Sequence, residues 1–527
     1  MTQQAQRWPR RNKPPMAQKP QKPAGKPRWD ITNDKRAVDD MAEILAHPAL
    51  PYRPFSRDRT LCLLVPGEGD EPPKSVPGDA ATLVSYLSRY IDTYGVTIKG
   101  SGENAKSVET PKLISEKVCK AAANGIDFPY PTLTAIITSP VVLPDGTLLA
   151  EPGYHAPSGL FLHLSETIPD VPDVPTDAEV AAAKKLLVET VLGDFEFVHP
   201  SDLPNYLGLL FTPLLRFYAG GLVPLFYITA DNPGSGKSYL LKLVGTLFGY
   251  APMPWPKDNE EEIRKQITAI LHSSAEPLIL IDNVPEGTLI KSPQLASLLT
   301  YEEWSDRPLG FTRVVRMNNN RIWGMTGNNI SMGGDMPRRV VGIHLTCSAP
   351  HPEDRDPAQF AVGDLLHWAR AHRGKVLHAM LVLVASWLAA GAKEGSATLA
   401  CFDRWAKVTS GFLGHIGVQG FLEERRELAG GRCVDGEAWE ALLIAWHAKH
   451  GSAWVSAADI ANDPQFEELI MEADAGYLDP KALGKELRGK LGRWYGDYRV
   501  AKTMDAKSKT ARWRVEKHGD TADDPAA

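Results

Sequence analysis

Leu225-Phe-Tyr-Ile-Thr-Ala-Asp-Asn-Pro-Gly-Ser-Gly-Lys-Ser238 decides how this chain of 527 residues is read. An apolar run, Leu225–Thr229, leads into a glycine-bearing loop, and a helical pattern, Leu240–Phe248, follows the Lys-Ser pair. Strand, loop and helix in that order are what a phosphate-binding loop requires. Gly234 and Gly236 let backbone N–H groups turn towards phosphate oxygens with no Cβ in the way. On this reading Asn232, Pro233, Gly234, Ser235, Gly236, Lys237, Ser238 and Tyr239 cradle ATP. Lys237 would sit on its β- and γ-phosphates and Ser238 would hold Mg²⁺. Asp231 departs from the G-x-x-x-x-G-K-S/T pattern, standing where the first glycine is expected.

Working outward, Pro277-Leu-Ile-Leu-Ile-Asp282 brings an acid to the end of an apolar run, 44 residues beyond Ser238. Four consecutive apolar residues suit a buried parallel strand, and such sheets carry functional groups at the C-terminal ends of their strands. Asp282 would then join Ser238 in binding Mg²⁺, directly or through water. The helix before this strand has a start signal in Asn259, with Glu262 three positions on and acids filling the first turn.

A further strand-like run ends in Trp323-Gly-Met-Thr-Gly-Asn-Asn329, and Asp335-Met-Pro-Arg-Arg-Val-Val-Gly-Ile-His-Leu345 follows. The arrangement of GSGKS, LILIDN, TGNN and DMPRR resembles the ATPase module of phage, plasmid and genomic-island primase-helicases. Those proteins belong to the AAA+ class, near the superfamily 3 and poxvirus-type helicases. The resemblance spans about 200–345 by motif, and more loosely VLPDGTLLAEPGYHAPSG before it and GFLEERREL after it. It implies a P-loop NTPase of AAA+ type, in a homo-oligomeric ring, hexameric in many such motors, that translocates on single-stranded DNA. It also implies that Asn328 contacts the γ-phosphate or the attacking water. Arg338 or Arg339 would be an arginine finger offered to the neighbouring subunit. Many related ATPases carry a carboxylate directly after the strand-end Asp, where this chain has Asn283. Either another carboxylate (Glu286, Glu302 or Glu303) acts as base, or Asn283 only positions the water and hydrolysis is slow. The N-terminal part lacks a zinc-finger pattern and a paired-carboxylate motif, so a primase would be a separate partner.

Between these motifs lies Arg307–Trp323, in which Asn318–Asn320 reads as the turn of a hairpin. In the resembling motors a hairpin in this interval lines the pore. Arg313, Arg316 and Arg321 would then touch DNA phosphates and Trp323 would stack on bases, although a plain solvent-facing hairpin fits the same residues. Towards the C-terminus, Val455–Ile460 and Phe466–Ala473 read as short helices. Pro480–Arg493 reads as a basic amphipathic helix with Leu483, Leu487 and Leu491 facing inwards. Tyr498–Lys502 and Thr510–Val515 read as a hairpin, which completes the order of a winged helix. Its third helix (Lys481, Lys485, Arg488) would enter the major groove of duplex DNA while the wing (Lys507, Lys509) contacts the backbone. Winged helices also dock proteins.

The expected fold class is α/β, with a P-loop core, an α+β N-terminal domain, a helical extension and a C-terminal winged helix. Its expected parts are a disordered basic Pro-rich tail (1–32), the N-terminal domain (33–165) and an acidic Pro-rich linker (166–177). The ATPase domain (178–350), helical domain (351–452), winged helix (453–517) and a disordered tail (518–527) follow. Five scattered cysteines with no CxxC pair argue against a disulfide framework or zinc site and point to a reducing cytoplasm. The longest apolar run, Ala379–Ala392, falls short of the ~20 residues of a membrane span, and the N-terminus has no signal-peptide core. A net charge of −6 argues, taken alone, against nucleic acid. Residues 1–30 nevertheless carry eight basic side chains against one acid, and 480–517 carry twelve against four. The total is a cancellation, and counterion release depends on the local basic groups. Two functions fit: an ATP-dependent replicative DNA helicase of a phage or mobile element, or an ATP-switched initiator or helicase loader without strong unwinding. A DNA-packaging ATPase is a distant third, since no nuclease-like acidic cluster follows.

Overall fold

Leu225–Ala230 is buried at every residue and forms an interior strand of the largest sheet. A strand covered on both faces reads as one hydrophobic stretch, without the alternation of a half-exposed strand. The computed structural model describes residues 26–58, 60–69, 71–123, 130–256, 259–274, 276–309, 314–348, 360–423, 434–473, 479–492, 494–505 and 510–518. The chain is mixed α/β. From the large sheet onwards the first principal elements are β1 (Glu196–Phe197), α1 (Asp202–Ala219), β2 (Leu225–Ala230), α2 (Lys237–Phe248) and β3 (Ala251–Pro252). They continue with α3 (Glu260–Ser273), β4 (Leu278–Val284), β5 (Glu303–Asp306), β6 (Val315–Asn318), β7 (Ile322–Asn328) and β8 (Val340–Thr346).

The sheet runs β1-β8-β2-β7-β4-β3, parallel throughout except for β1 against β8. The last strand, β8, lies on the opposite side of β2 from β3, β4 and β7. Open α/β sheets bind ligands beyond the C-terminal strand ends at such a reversal, and the 231–236 loop sits there. Helix α2 packs on β2, β4 and β7 through Leu240, Leu241, Leu243, Val244 and Leu247, all buried. Gly324 on β7 permits this approach, since a Cβ there would lie 2.6 Å from the Leu241 side chain. Helix α3 starts where expected, with Asn259 Oδ1 accepting from Glu261 and Glu262 N–H.

Helices α4 (Arg373–Ala389) and α5 (Asp403–His415) share one core with the sheet. Trp405 Nε1 donates to Thr212 Oγ1 at 3.0 Å, joining α5 to α1. The C-terminal part has its own core. It comprises α6 (Val434–His450), α7 (Ala457–Ala461), α8 (Glu467–Glu472), α9 (Pro480–Gly489), β9 (Trp494–Tyr495), β10 (Tyr498–Met504) and β11 (Ala511–Lys517). Trp439, Leu442 and Trp446 of α6 pack there with Leu483, Val500 and Trp513. The helix placed in the 351–452 domain by sequence therefore belongs to the C-terminal unit. Helix α9 stops at Gly489, which leaves Leu491 47% exposed instead of facing inwards.

Ahead of the large sheet, Arg28–Asp30 pairs in parallel with Asp92–Lys99, which pairs antiparallel with Lys106–Pro111. That strand lies inside the expected 1–32 tail, whose first 25 residues are outside the described ones. Helices Asp34–Leu45, Ala80–Tyr90 and Glu116–Ala123 share a core with Trp29, Leu61 and Leu63. The expected linker 166–177 is fastened to α4. Glu166 pairs with Arg373 at 2.5 Å, Ile168 is buried, and His378 Nε2 donates to Asp170 O at 3.1 Å. A buried guanidinium demands such a partner, and Pro-rich composition specified an extended chain without telling whether it is covered.

Candidate functional site

The loop after β2 turns into α2 through Gly234 at φ 75° and Gly236 at φ 94°. This left-handed region favours glycine, and a Cβ at Gly236 would also lie 2.7 Å from the Phe195 ring. Lys237 Nζ donates to Asn232 O and Ser235 Oγ, both at 3.0 Å, so the loop closes around the ammonium. Burial draws the Lys237 pKa down, opposed by the charges of Glu286 and Asp231. The first N–H groups of α2 have no partner within the helix, which suits them to phosphate oxygens. Tyr239 stands 49% exposed one turn into α2.

Ser238 Oγ donates to Asp282 Oδ1 at 2.7 Å, and Thr326 Oγ1 donates to the same oxygen at 2.5 Å. Lys242 Nζ lies 2.7 Å from the other oxygen. Burial pushes the Asp282 carboxyl up, but the bonds from Lys242, Thr326 and Ser238 outweigh it and hold the group below its ordinary range. A hydroxyl and an ionised carboxylate converging from α2 and β4 form a hard-oxygen donor set that fits Mg²⁺. The β4–β7 ladder slips between Ile281 and Val284. Asn283 sits in this bulge at φ 61°, its N–H bonded to Thr326 Oγ1 at 3.2 Å.

Asn328 ends β7 opposite Ala230, and its Oδ1 is buried with no hydrogen-bond partner among the described residues. The side chain bonded at the site belongs to its neighbour. Asn329, at φ 49°, places Nδ2 3.3 Å from both Asp231 O and Glu286 Oε1. The two arginines before β8 divide sharply. Arg338 bonds to Asp335 at 2.5 Å with its side chain 59% exposed. The Arg339 side chain is 9% exposed and is held by Asp335 and, at 3.6 Å, by Cys401 Sγ. Of the two, Arg338 alone is exposed.

The structure alters the expected hairpin. Its strands are β5 and β6, antiparallel and joined by 307–314, while β7 enters the large sheet. Asn318–Asn320 is not a hairpin turn but an anchor. Asn318 bonds to Asp58, Asn319 Nδ2 to Tyr301 O at 3.3 Å, and Asn320 Nδ2 to Thr134 O at 2.8 Å. Arg316 is exposed on β6. Arg321 is 2% exposed, donating to Ser274 O at 2.8 Å, with its pKa pushed down by burial to about 9. Trp323 is 1% exposed and donates to Asn319 Oδ1. Neither side chain has a free face for DNA. Arg313, Lys507 and Lys509 lie outside the described residues. Lys481, Lys485 and Arg488 are exposed on α9, opposite buried Leu483 and Leu487.

No protein-family model matches the chain, and no curated protein matches it either. Among solved structures, an apo form of the NrS-1 C-terminal region is 10% identical with a TM-score of 0.35, over 88% of this chain and 96% of that one. A second structure of that region, in the same A form, is 12% identical with a TM-score of 0.36 over the same shares. A JCV helicase bound to a thiazolopyridine compound is 13% identical with a TM-score of 0.24, over 46% of this chain and 61% of that one. Likenesses at these TM-scores leave the reading of the site to its own geometry. No described helix is long and apolar enough to cross a membrane.

Three site residues escaped the sequence reading: Lys242, Thr326 and Asn329. Lys242 had a signal, since it lies four residues after Ser238 and so on the same face of α2. Among the described residues one cluster could hold a metal, His199, Asp202 and His344, with ligand atoms within 4.8 Å of one another. Asp202 already accepts from His199 N (2.8 Å), His344 N (2.9 Å) and His344 Nδ1 (3.0 Å), which ties the start of α1 to β8.

Proposed function

We propose that the chain is an ATP-dependent DNA helicase or replication ATPase of AAA+ type, close to superfamily 3, coupling hydrolysis to movement along single-stranded DNA. The observation that carries this is the convergence of Lys237, Ser238 and Asp282 beyond the C-terminal ends of β2 and β4, at the reversal of a β8-β2-β7-β4-β3 sheet. Lys237 and the N-terminal N–H groups of α2 bind the phosphates, and Ser238 with Asp282 would hold Mg²⁺. When bound, that ion neutralises charge developing on the β- and γ-phosphate oxygens. Thr326 and Lys242 orient the Asp282 carboxylate. Exposed Arg338 supports a ring, hexameric by resemblance, in which each subunit completes its neighbour's site. Arg316 on the β5–β6 hairpin would meet single-stranded DNA, and Lys481, Lys485 and Arg488 would meet duplex DNA through the winged-helix-like C-terminal unit.

Lys237→Ala should abolish both ATP binding and single-stranded-DNA-stimulated hydrolysis, and unimpaired activity in that variant would sink the assignment. Asn283, at the position where a carboxylate would activate water, favours a second reading as an ATP-switched initiator or loader. Strand displacement on a forked duplex separates the two.

A further inference from the structure

We infer that Glu286 is the general base of this site, replacing the carboxylate missing at Asn283. The inference rests on the nucleotide-hydrolysis reading above and identifies a residue within it. After the bulge at Asn283, Val284 returns to pair with Gly327, and the chain then turns sharply. Thr288 closes the turn on Pro285 O through N–H at 3.2 Å and Oγ1 at 2.6 Å. Gly287, at φ 70°, donates its N–H to Asn328 O at 3.1 Å. These bonds pin residues 285–288 to the end of β7, beside the loop that follows β2. Asn329 is itself held by its N–H on Ala230 O at 3.1 Å. Its side-chain amide then links Glu286 Oε1 to the backbone of Asp231, the first residue of that loop. Glu286 is also the foremost charge opposing the burial of Lys237. Left-handed backbone at two nearby non-glycine residues, Asn283 and Asn329, is strain retained where surrounding bonds over-determine it.

The competing carboxylates are at the wrong end of the sheet. Glu302 Oε1 lies 3.9 Å from where a Cβ on Gly221 would be, ahead of the first residue of β2. Glu303 pairs with Asn318, ahead of the first residue of β7. At about 3.3 Å per residue, strands of this length put both roughly 20 Å from the loop. Asp335 is committed to Arg338 and Arg339.

In the step assigned to Glu286, a water oxygen bonds to the γ-phosphorus of ATP. The bond from that phosphorus to the β–γ bridging oxygen breaks, and its electron pair stays on ADP. The water's proton passes to the Glu286 carboxylate and then to solvent. General-base catalysis of this kind contributes about 10²–10⁴-fold.

The test compares Glu286→Gln, Glu286→Asp and Lys237→Ala in the full chain, reading affinity for a fluorescent ATP analogue, kcat and its pH profile, and thermal stability. Glu286→Gln should bind nucleotide within about threefold of the native protein and melt at the same temperature. Its kcat should fall by about 10²-fold or more, with loss of the acid limb of the pH profile, and Glu286→Asp should restore part of the rate. If Lys237→Ala leaves binding and hydrolysis intact, the phosphate-loop reading itself fails. If Lys237→Ala abolishes binding while Glu286→Gln hydrolyses ATP at the native rate, the base assignment alone falls. Loss of nucleotide binding in Glu286→Gln would also overturn it, making the residue a binding group.

Discussion

Thr326→Val tests the site at a residue to which the sequence reading gave no role. The side chain is 1% exposed, and valine keeps its volume while removing the hydroxyl. That hydroxyl donates to ionised Asp282 at 2.5 Å and accepts the Asn283 N–H at 3.2 Å. A hydrogen bond to a charged group is worth about 1.5–3 kcal/mol. The second bond, at 3.2 Å between a backbone N–H and a hydroxyl, involves no charged group and is the weaker of the two. The expected loss of stability is therefore about 1.5–3 kcal/mol, read from the shift in the urea midpoint at constant slope. Asp282 stays ionised at neutral pH, because its carboxyl starts below the ordinary range. What is lost is its orientation towards Ser238. Removing a group that orients a metal ligand costs about 10–100-fold in metal affinity, so half-saturating Mg²⁺ for ATP hydrolysis should rise by at least tenfold. Thr326→Ser, which retains the donor, should restore the native Mg²⁺ dependence. Unchanged stability together with unchanged Mg²⁺ dependence in Thr326→Val would refute the orienting role.

Four further outcomes are expected. Arg338→Ala should leave nucleotide affinity intact and reduce ring-stimulated hydrolysis by about 10³-fold, whereas Arg339→Ala should show its main effect as a lower melting temperature. Arg316→Ala should weaken single-stranded DNA binding and flatten its salt dependence without changing the melt; Arg321→Ala should destabilise the fold, as loss of a buried donor does. Asp335→Asn should show its full loss of stability above about pH 4 and a shrinking difference from the native protein below it. Arg338 and then Arg339 hold the Asp335 carboxyl low against burial, so the pair's stabilisation is present above the unfolded pKa and is lost as pH falls through the folded one. Melting curves from pH 2 to 7 should therefore converge at the acid end. Asp202→Ala should cost about 3–5 kcal/mol, since it orphans three donors on a fully buried acceptor at about 1–3 kcal/mol each before relaxation; a denaturation midpoint close to the native one would contradict this.

Local patterns carried the meeting of Ser238 with Asp282 because its parts are local. Strand, glycine loop and helix are contiguous, and an acid ending an apolar run is visible without tertiary knowledge. Ser238 and Asp282 could therefore be paired before the sheet was known. The failures share a different cause. Asn318-Asn-Asn320 has turn composition, yet each side chain reaches a backbone or carboxylate elsewhere, and β7 belongs to the large sheet. Arg321 and Trp323 carry the residue types of a DNA-gripping hairpin, and only their burial, 2% and 1%, excludes that role. Which of two adjacent residues is exposed, Arg338 or Arg339, and which bonds at the loop through its side chain, Asn329 or Asn328, was equally hidden. Adjacent side chains diverge from one another, and their directions follow from contacts that spacing does not encode.

The N-terminal unit, whose role was illegible, holds the C-terminal end of α3 and the base of the β5–β6 hairpin. Arg57, 9% exposed, donates to Leu271 O at 3.0 Å and also to Ser274 O, at the C-terminal end of α3. Arg321 donates to the same Ser274 carbonyl. Two guanidiniums thus occupy the negative end of the α3 dipole, where cations are favoured. Asp58, beside Arg57, accepts the N–H and the side-chain amide of Asn318 at 3.1 and 2.9 Å, and Thr134 O accepts from Asn320. The base of the β5–β6 hairpin is therefore gripped by the N-terminal unit across 186–260 residues of sequence. A chain cut at residue 178 would lack these partners, taking the Arg57 donor from the Leu271 and Ser274 carbonyls and leaving the hairpin base untied. The N-terminal unit is part of the hairpin's mounting, and no local pattern could have revealed it, because every bond that makes it so is long-range and ends on a backbone atom or a lone carboxylate.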